Sequence, residues 1–297
     1  MSLERVGGLD AAIDQVLVHR TLQENIEQVI KRQRTVNLVE DNHLGGMLNQ
    51  IFNEDCLEGM KRIPSKSIDM ILCDLPYGTT ACQWDSIIPL DALWTHYKRI
   101  IKDHGAVVLF GSQPFTSLVV VSNIEWFKYA WVWEKNRATG HVHAKNKPMK
   151  IHEDICVFSS GTTVHATQSK SRMTYNPQGL EELKTPIYRK RNDAGDDAVM
   201  SARKSHRPTH QTYSGYPTSI IKSRIPMNDE RIHPTQKPVD LCEMLVKTYA
   251  NEGEIVLDNC MGSGSTAVAC KNTGRHYIGF EQDKDIFQKA VFRLNAV

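Results

Sequence analysis

The last quarter of the chain contains the pattern that most constrains the fold. Two apolar segments, EIVLD at 254–258 and HYIGFE at 276–281, flank a glycine-containing turn and a predicted helix at 265–274. Further helices are predicted at 239–250 and 283–294. A strand, a helix and a second strand in this order form a βαβ unit, whose two strands run parallel in one sheet. We therefore expect an α/β fold.

The middle of the chain shows the same alternation. Apolar segments at 68–74, 105–111, 129–135 and 155–160 are predicted strands, and 90–102 is a predicted helix with its apolar side chains on one face. Nearly continuous apolar strands, with a helix between them, are typical of a parallel sheet that is covered on both faces.

Composition divides the chain into four parts. The segment 161–231 has few large apolar residues, and its twelve basic and seven acidic residues give a net charge of +5, against +2 for the whole chain. A length of 297 residues suits one large domain that carries an insertion. We predict an N-terminal extension at 1–48, a first α/β half at 49–160, an insert at 161–231 and a second half at 232–297.

Several classes of protein are disfavoured by the sequence. No apolar segment approaches the roughly 18 residues that span a bilayer, and the N-terminus does not resemble a secretory signal. The seven cysteines are scattered without a C-x-x-C motif, which disfavours a disulfide framework or a structural zinc site. His141, His143 and His152 have only Glu153 nearby as a further ligand, so no metal is expected. A reducing cytoplasm fits best.

The glycine turn after the first C-terminal strand is a candidate ligand site. Gly262 and Gly264 allow backbone conformations that other residues disfavour, and let a ligand approach closely. Ligands bind at the carboxyl ends of strands in such sheets, and Glu281 at the next strand end is placed to bind ribose hydroxyls. The turn has no third glycine in G-x-G-x-x-G register and no G-K-[ST]. It therefore favours a nucleoside with an uncharged bridge, such as S-adenosylmethionine, although G-x-G also occurs in ordinary tight turns.

A second turn follows the strand at 68–74 and reads Asp74-Leu75-Pro76-Tyr77. An aromatic amino group is a poor nucleophile, and hydrogen-bond acceptors beside it favour its attack on a methyl group. The Asp74 carboxylate can accept one N–H and the Leu75 carbonyl the other. Pro76 stiffens the turn, and the Tyr77 ring offers a face on which an extruded base could stack. Alone, this motif also fits an ordinary β-turn; together with the glycine turn it favours methyl transfer.

These two turns, in this order, resemble the β group of amino-group DNA methyltransferases, in which the catalytic tetrapeptide precedes the cofactor loop. The family tetrapeptide is Asp-Pro-Pro-Tyr, and this chain differs from it only at Leu75, which keeps the carbonyl. The family loop, Asp-Pro-Phe-x-Gly-Ser-Gly-Thr-Thr, aligns with 258–266, where Asn259 and Cys260 depart from it.

Two further segments match the family. Residues 233–238 resemble the motif before the cofactor strand, and 53–57 resemble the strand end that meets the cofactor adenine, with Asp55 as acceptor. The resemblance covers about 50–160 and 232–297. The cofactor-binding residues that it implies are Asp55, Cys56, Thr235, Lys237, Asp258, Gly262, Ser263, Gly264, Ser265, Thr266 and Glu281.

The resemblance implies a Rossmann-like, S-adenosylmethionine-dependent methyltransferase fold. It is expected to be circularly permuted, with the catalytic half first and an inserted target-recognition region at 161–231. The positive charge of the insert and of the loop from 135 to 150 suits contact with a DNA backbone, although a basic run alone is also typical of a solvated surface. The expected DNA contacts are Lys135, Arg137, Lys145, Lys147, Arg189, Lys190 and Arg191.

The activity implied is site-specific methylation of adenine N6 in double-stranded DNA, with the base flipped out of the helix. Asp74 favours adenine, because N4-cytosine enzymes of this family more often carry Ser or Thr there. An N4-cytosine enzyme is the first alternative, and an RNA methyltransferase or a non-catalytic DNA-binding regulator are others. The family also implies a cytoplasmic homodimer, associated with the nucleoid through DNA and acting in restriction–modification.

Overall fold

A computed structural model of the chain describes residues 44, 46–78, 87–164, 169–189, 209–227, 231–233 and 235–297. The expected N-terminal extension at 1–48 lies almost wholly outside these residues. The strands are β1 (Gln50–Phe52), β2 (Ile68–Cys73), β3 (Ile101–Gly111), β4 (Phe127–Thr139), β5 (Lys150–Phe158), β6 (Glu181–Arg189), β7 (Thr209–Ser214), β8 (Ile220–Lys222), β9 (Ile255–Asp258) and β10 (His276–Phe280). The α-helices are α1 (Cys56–Lys61), α2 (Leu90–Ile100), α3 (Phe115–Ser122), α4 (Val239–Tyr249), α5 (Ser265–Thr273) and α6 (Lys284–Asn295).

The described strands form one large sheet and one small one. The large sheet has the strand order β1-β10-β9-β2-β3-β5-β4-β8. Its first five strands, from β1 to β3, are all parallel. Strands β6 and β7 form a separate antiparallel pair. The expected α/β fold with a central parallel sheet is confirmed.

Both faces of the large sheet are covered by helices, as the apolar strands predicted. Along β2, Ile71 and Cys73 belong to a core shared with α1, α2 and α3, whereas Met70 and Leu72 belong to a core shared with α4 and α5. This division follows from the alternation of side chains along a strand. None of the described helices has both the length and the apolarity needed to cross a membrane.

One end of the sheet departs from the parallel arrangement. Strand β5 runs antiparallel to both β3 and β4, so this part of the sheet is mixed. The reason is the connection at 140–149, which joins β4 directly to β5 and so reverses the chain. Strand β8 lies within the segment predicted as an insert, yet it pairs with β4 at the edge of the large sheet. The insert boundaries remain a prediction.

Candidate active site

Four strand ends meet at one edge of the sheet. Strands β1, β10, β9 and β2 are adjacent and parallel, so their carboxyl ends lie side by side. The residues that follow them include Asp55, Glu281, Gly262 and Asp74, all of which line one cavity of about 630 Å³. This volume is within the range of small-molecule sites. The topology therefore brings the two predicted turns together.

The glycine turn is fixed by the acid at the end of β10. Gly262 and Gly264 have φ angles of +53° and +77°, which disfavour a residue with a Cβ. The Glu281 carboxylate accepts a hydrogen bond from the Gly262 N–H at 2.8 Å and another from the Asp283 N–H at 2.8 Å. Burial raises the pKa of Glu281, and these two hydrogen bonds partly oppose that rise. Glu281 thus shapes the turn as well as facing the cavity.

A residue that the sequence analysis did not identify also supports the turn. Arg293 on α6 donates to the Ser263 carbonyl at 3.0 Å and to Ser265 Oγ at 3.2 Å. Ser265 Oγ in turn donates to the Lys237 carbonyl at 2.8 Å. These bonds connect the turn to α6 and to the segment before α4.

Asp258 ends β9 and is almost fully buried, with 4% of its surface exposed. Its Oδ1 accepts the Cys260 N–H at 3.1 Å. Burial raises the pKa of Asp258 to about 7, although hydrogen bonds from Thr266 and Cys260 act in the opposite direction. Asp258 therefore organises the start of the turn from within the protein.

The buried Asp258 makes stability depend on pH in a defined direction. Its pKa is about 7 in the folded protein, against an ordinary value of 3.8, so the folded state holds a proton that the unfolded chain releases between these values. The contribution of Asp258 is therefore most favourable at low pH and declines as the pH rises from about 4 to about 7. The variant Asp258→Asn should gain stability relative to wild type over this interval. Urea denaturation at several pH values measures this gain, and a difference that stays constant with pH would contradict it.

The second turn presents a carboxylate with donors on both oxygens. Tyr77 Oη donates to Asp74 Oδ1 at 2.7 Å, and Lys237 Nζ donates to Asp74 Oδ2. The Tyr77 ring packs against the Phe115 ring with 5.0 Å between centroids. The Leu75 side chain belongs to the buried core, and Leu75, Pro76 and Tyr77 all line the cavity. The turn is held by contacts to the core and to Lys237.

A row of ion pairs with alternating charge begins at this turn. It consists of Asp74, Lys237, Glu153 and Lys135. Lys237 Nζ lies 3.5 Å from Glu153 Oε2, and Glu153 Oε1 accepts from Lys135 Nζ. Burial opposes the charged form of Lys237, but the Asp74 and Glu153 carboxylates outweigh it and raise the lysine pKa. Burial likewise opposes ionisation of Glu153, but Lys237 and Lys135 outweigh it and lower the carboxyl pKa. Lys237 and Glu153 are therefore both charged at neutral pH.

Lys135 lies in a different environment from the one expected. The sequence predicts that it lies in an exposed basic loop that contacts DNA, but its side chain is only 13% exposed and is paired with Glu153. The reason is that β4 continues to Thr139, so Lys135 lies within the sheet beside β5. Glu153, noted in the sequence only for its position beside His152, is the ion-pair partner of Lys135.

The remaining expected cofactor residues lie around the cavity with one exception. Asp55 caps α1 by accepting the Leu57 and Glu58 N–H groups at 2.8 and 3.2 Å. Thr235 is exposed, and its Oγ1 lies 3.0 Å from His233 Nδ1. Gly264 does not line the cavity, and it contributes to the turn through its positive φ angle. The lining residues that had been expected are Asp55, Cys56, Thr235, Lys237, Asp258, Gly262, Ser263, Ser265, Thr266 and Glu281.

Of the other basic residues expected to contact DNA, Arg137, Lys145 and Lys147 are exposed at or near the loop between β4 and β5. The Arg189 side chain, and Lys190 and Arg191 entirely, lie outside what the structure describes. Within the described ranges, no group of three or more His, Cys, Asp or Glu residues is arranged to hold a metal ion.

The arrangement fits S-adenosylmethionine, the cofactor expected from the sequence. Glu281 and Asp55 provide carboxylate acceptors for hydroxyl and amino groups, and the turn around Gly262 leaves the backbone open to a ligand. Asp74 lines the same cavity from the neighbouring strand end. A methyl donor in this cavity would therefore lie beside the second turn.

The sequence is similar to curated type II methyltransferases. It is 26% identical to M.HindIII of Haemophilus influenzae, over 84% of this chain and 96% of that protein. It is 25% identical to M1.MboII of Moraxella bovis, over 84% of this chain and 97% of that protein. The chain thus spans nearly the whole length of both relatives.

Solved structures share the fold. The M1.HpyAVI–SAM complex has a TM-score of 0.53 and 24% identity, over 82% of this chain and 99% of that one. The PvuII DNA methyltransferase, described as cytosine-N4-specific, has a TM-score of 0.59 and 13% identity, over 82% of this chain and 85% of that one. At these identities, the likeness shows the fold alone.

A profile of the family described as DNA methylase matches residues 68–292, more than half of the chain. The match includes the turn at 74–77, the turn at 258–266 and the strands β2 and β9 that bring them together. The chain therefore belongs to the N6/N4 DNA methylase family.

Proposed function

We propose that this DNA methyltransferase transfers a methyl group from S-adenosylmethionine to the N6 amino group of adenine in double-stranded DNA. The observation that carries the proposal is the position of Asp74. Its carboxylate lines the same cavity as the glycine turn and Glu281. The cavity can therefore receive both a methyl donor and the group to be methylated.

The chemistry assigned to the turn is activation of an amino group. Its nitrogen lone pair is conjugated with the base, and positive charge develops on that nitrogen as it attacks a methyl carbon. A carboxylate positioned beside the nitrogen stabilises this charge. Asp74 accepts one amino N–H and the Leu75 carbonyl the other. A nitrogen–carbon bond would form as the carbon–sulfur bond of the donor breaks, leaving S-adenosylhomocysteine, and one amino proton would be released to solvent.

Base flipping is part of the proposal because the amino group of a paired base is inside the duplex. An enzyme of this kind extrudes the nucleotide into a pocket. Tyr77 lines the cavity, and its ring is supported by Phe115 at 5.0 Å between centroids. We assign Tyr77 to stacking on the extruded base.

Adenine is proposed on the ground of Asp74, the residue at the first catalytic position. The second candidate is N4 of cytosine, the other amino group on which enzymes of the N6/N4 DNA methylase family act. Both amino groups require the same acceptors, so the mechanism at Asp74 is the same for either base.

Contact with duplex DNA is assigned to the exposed Arg137, Lys145 and Lys147, since exposed basic side chains neutralise backbone phosphates. Target recognition is assigned to the segment 161–231, whose net charge is +5. A homodimer and a circularly permuted fold with an inserted region are proposed from the family resemblance.

Methyl-labelled S-adenosylmethionine tests the substrate class. The purified protein is incubated with unmethylated duplex DNA and, separately, with RNA of similar length. We expect label to enter duplex DNA and not RNA. Label in RNA alone would favour the RNA methyltransferase. DNA binding without transfer to either nucleic acid would favour a regulator.

A further inference from the structure

Both oxygens of the Asp74 carboxylate already accept a hydrogen bond before any substrate binds. Its Oδ1 accepts from Tyr77 Oη at 2.7 Å, and its Oδ2 accepts from Lys237 Nζ. A carboxylate that neutralises an ammonium group is a weaker acceptor for an amino N–H. Binding of the target amino group is therefore favoured if Lys237 has another acceptor nearby.

Such an acceptor is present at Glu153. Its Oε1 accepts from Lys135, but its buried Oε2 receives no hydrogen bond from the part of the chain that the structure describes. That oxygen lies 3.5 Å from Lys237 Nζ. A shift of about 0.6 Å would bring the ammonium to about 2.9 Å from it, a normal charge-assisted hydrogen bond.

We infer that Glu153 is a positioning residue, which accepts the Lys237 ammonium when the target amino group binds Asp74. This inference rests on the proposed role of Asp74 in methyl transfer. Glu153 thereby releases one oxygen of the catalytic carboxylate without leaving a buried cation unpaired.

The surroundings suit a short movement of this kind. The Lys237 ammonium lies 5.0 Å from the centroid of the Phe110 ring, which attracts a cation without offering a competing lone pair. Glu153 is held within the sheet, where it pairs with Trp133 of β4. Lys135 anchors its other oxygen. The acceptor is therefore fixed, and the flexible lysine is the group that moves.

The variant Glu153→Gln tests the inference on the full-length protein with unmethylated duplex DNA. It keeps the shape of Glu153 but removes the charge that receives Lys237. We expect kcat to fall roughly tenfold to a hundredfold, the range for losing one hydrogen bond to a charged group. The KM for DNA and the affinity for S-adenosylmethionine should change little. Glu153→Asp, which keeps the charge, should retain more of kcat than Glu153→Gln.

Glu134→Gln is the matched control. Glu134 lies on the neighbouring strand, is 40% exposed and is 3.8 Å from Lys222. Its substitution should leave kcat unchanged. If Glu153→Gln instead lowered cofactor affinity and kcat together, or if Glu153→Asp were as impaired as Glu153→Gln, the positioning role would be overturned.

A double variant separates this inference from the proposed function. If Glu153 acts by freeing Asp74, Glu153→Gln should lower kcat far less in an Asp74→Asn background than in wild type. If the two substitutions lower kcat independently, so that their fold losses multiply in the double variant, the inference is overturned. Full activity of Asp74→Asn would overturn the proposed function and this inference with it. If Asp74→Asn is impaired but Glu153→Gln is fully active, this inference alone is overturned.

Discussion

Replacing Asp74 with Asn should lower kcat by about two to three orders of magnitude. Losses of this size follow removal of one group that stabilises charge in the transition state. Asn has nearly the same shape, but its amide oxygen is a weaker acceptor and its NH₂ group repels an amino N–H. Single-turnover transfer of labelled methyl to duplex DNA measures the loss.

Cofactor affinity distinguishes a catalytic role for Asp74 from a structural one. The described hydrogen bonds that hold the glycine turn involve Glu281, Arg293, Asp258 and the main-chain carbonyl of Lys237, and none of them is made by Asp74. Calorimetric titration of Asp74→Asn with S-adenosylmethionine should therefore give an affinity close to that of wild type. Asp103→Asn, the same substitution at an exposed ion pair with Lys66, should leave both measurements unchanged. Equal losses of kcat and cofactor affinity in Asp74→Asn would contradict the assigned role.

Replacing Lys237 with Met should lower the free energy of unfolding by about 3–5 kcal/mol, the range for removing one partner of a buried ion pair. Lys237 is 10% exposed and is shared by Asp74 and Glu153, which are 25% and 14% exposed. Without the lysine, Asp74 loses its cation and Glu153 keeps only Lys135. Lys237 helps to lower the pKa of Glu153, so this pKa should rise in the variant, and the loss of stability should diminish as the pH falls. Urea denaturation at neutral and acidic pH measures both effects.

Lys61→Met is the control for this prediction. Lys61 pairs with Glu58 at 2.6 Å, but their side chains are 57% and 66% exposed. Exposed pairs of this kind contribute at most about 1 kcal/mol, so the control should change stability little. If Lys237→Met and Lys61→Met lowered the free energy of unfolding by equally small amounts, the alternating charges around Glu153 would not be a stabilising network.

The parallel half of the sheet could be predicted closely from the sequence. The segments predicted at 68–74, 254–258 and 276–281 are strands in the structure, and each observed strand is one residue shorter than predicted. Apart from Asp69 and one polar residue at an end of β9 and of β10, the residues of these strands are apolar, and the strands are bounded by turns, which defines their ends. The antiparallel strand β5 could not be predicted in the same way, because its apolar segment also fits a buried parallel strand.

The site was predictable where its residues are adjacent in sequence. The turns containing Asp74 and Gly262 are local motifs, and the parallel register of β2 and β9 brings them together. Glu153 and Arg293 act through partners on other elements, so no local spacing identified them. For Glu153 the available signal was weaker, namely a charged residue shortly before the apolar end of a strand, ICVF at 155–158. Such a residue needs a buried partner, and for Glu153 the partners are Lys135 and Lys237.

Nucleoside mass spectrometry tests the central claim most directly. Unmethylated duplex DNA is incubated with the protein and S-adenosylmethionine, digested to nucleosides and analysed, with Asp74→Asn as the control. We predict N6-methyladenine with the wild-type protein and a yield reduced by about two to three orders of magnitude with the variant. N4-methylcytosine in place of N6-methyladenine would contradict the assignment of adenine, and the absence of any methylated nucleoside would contradict the proposed activity.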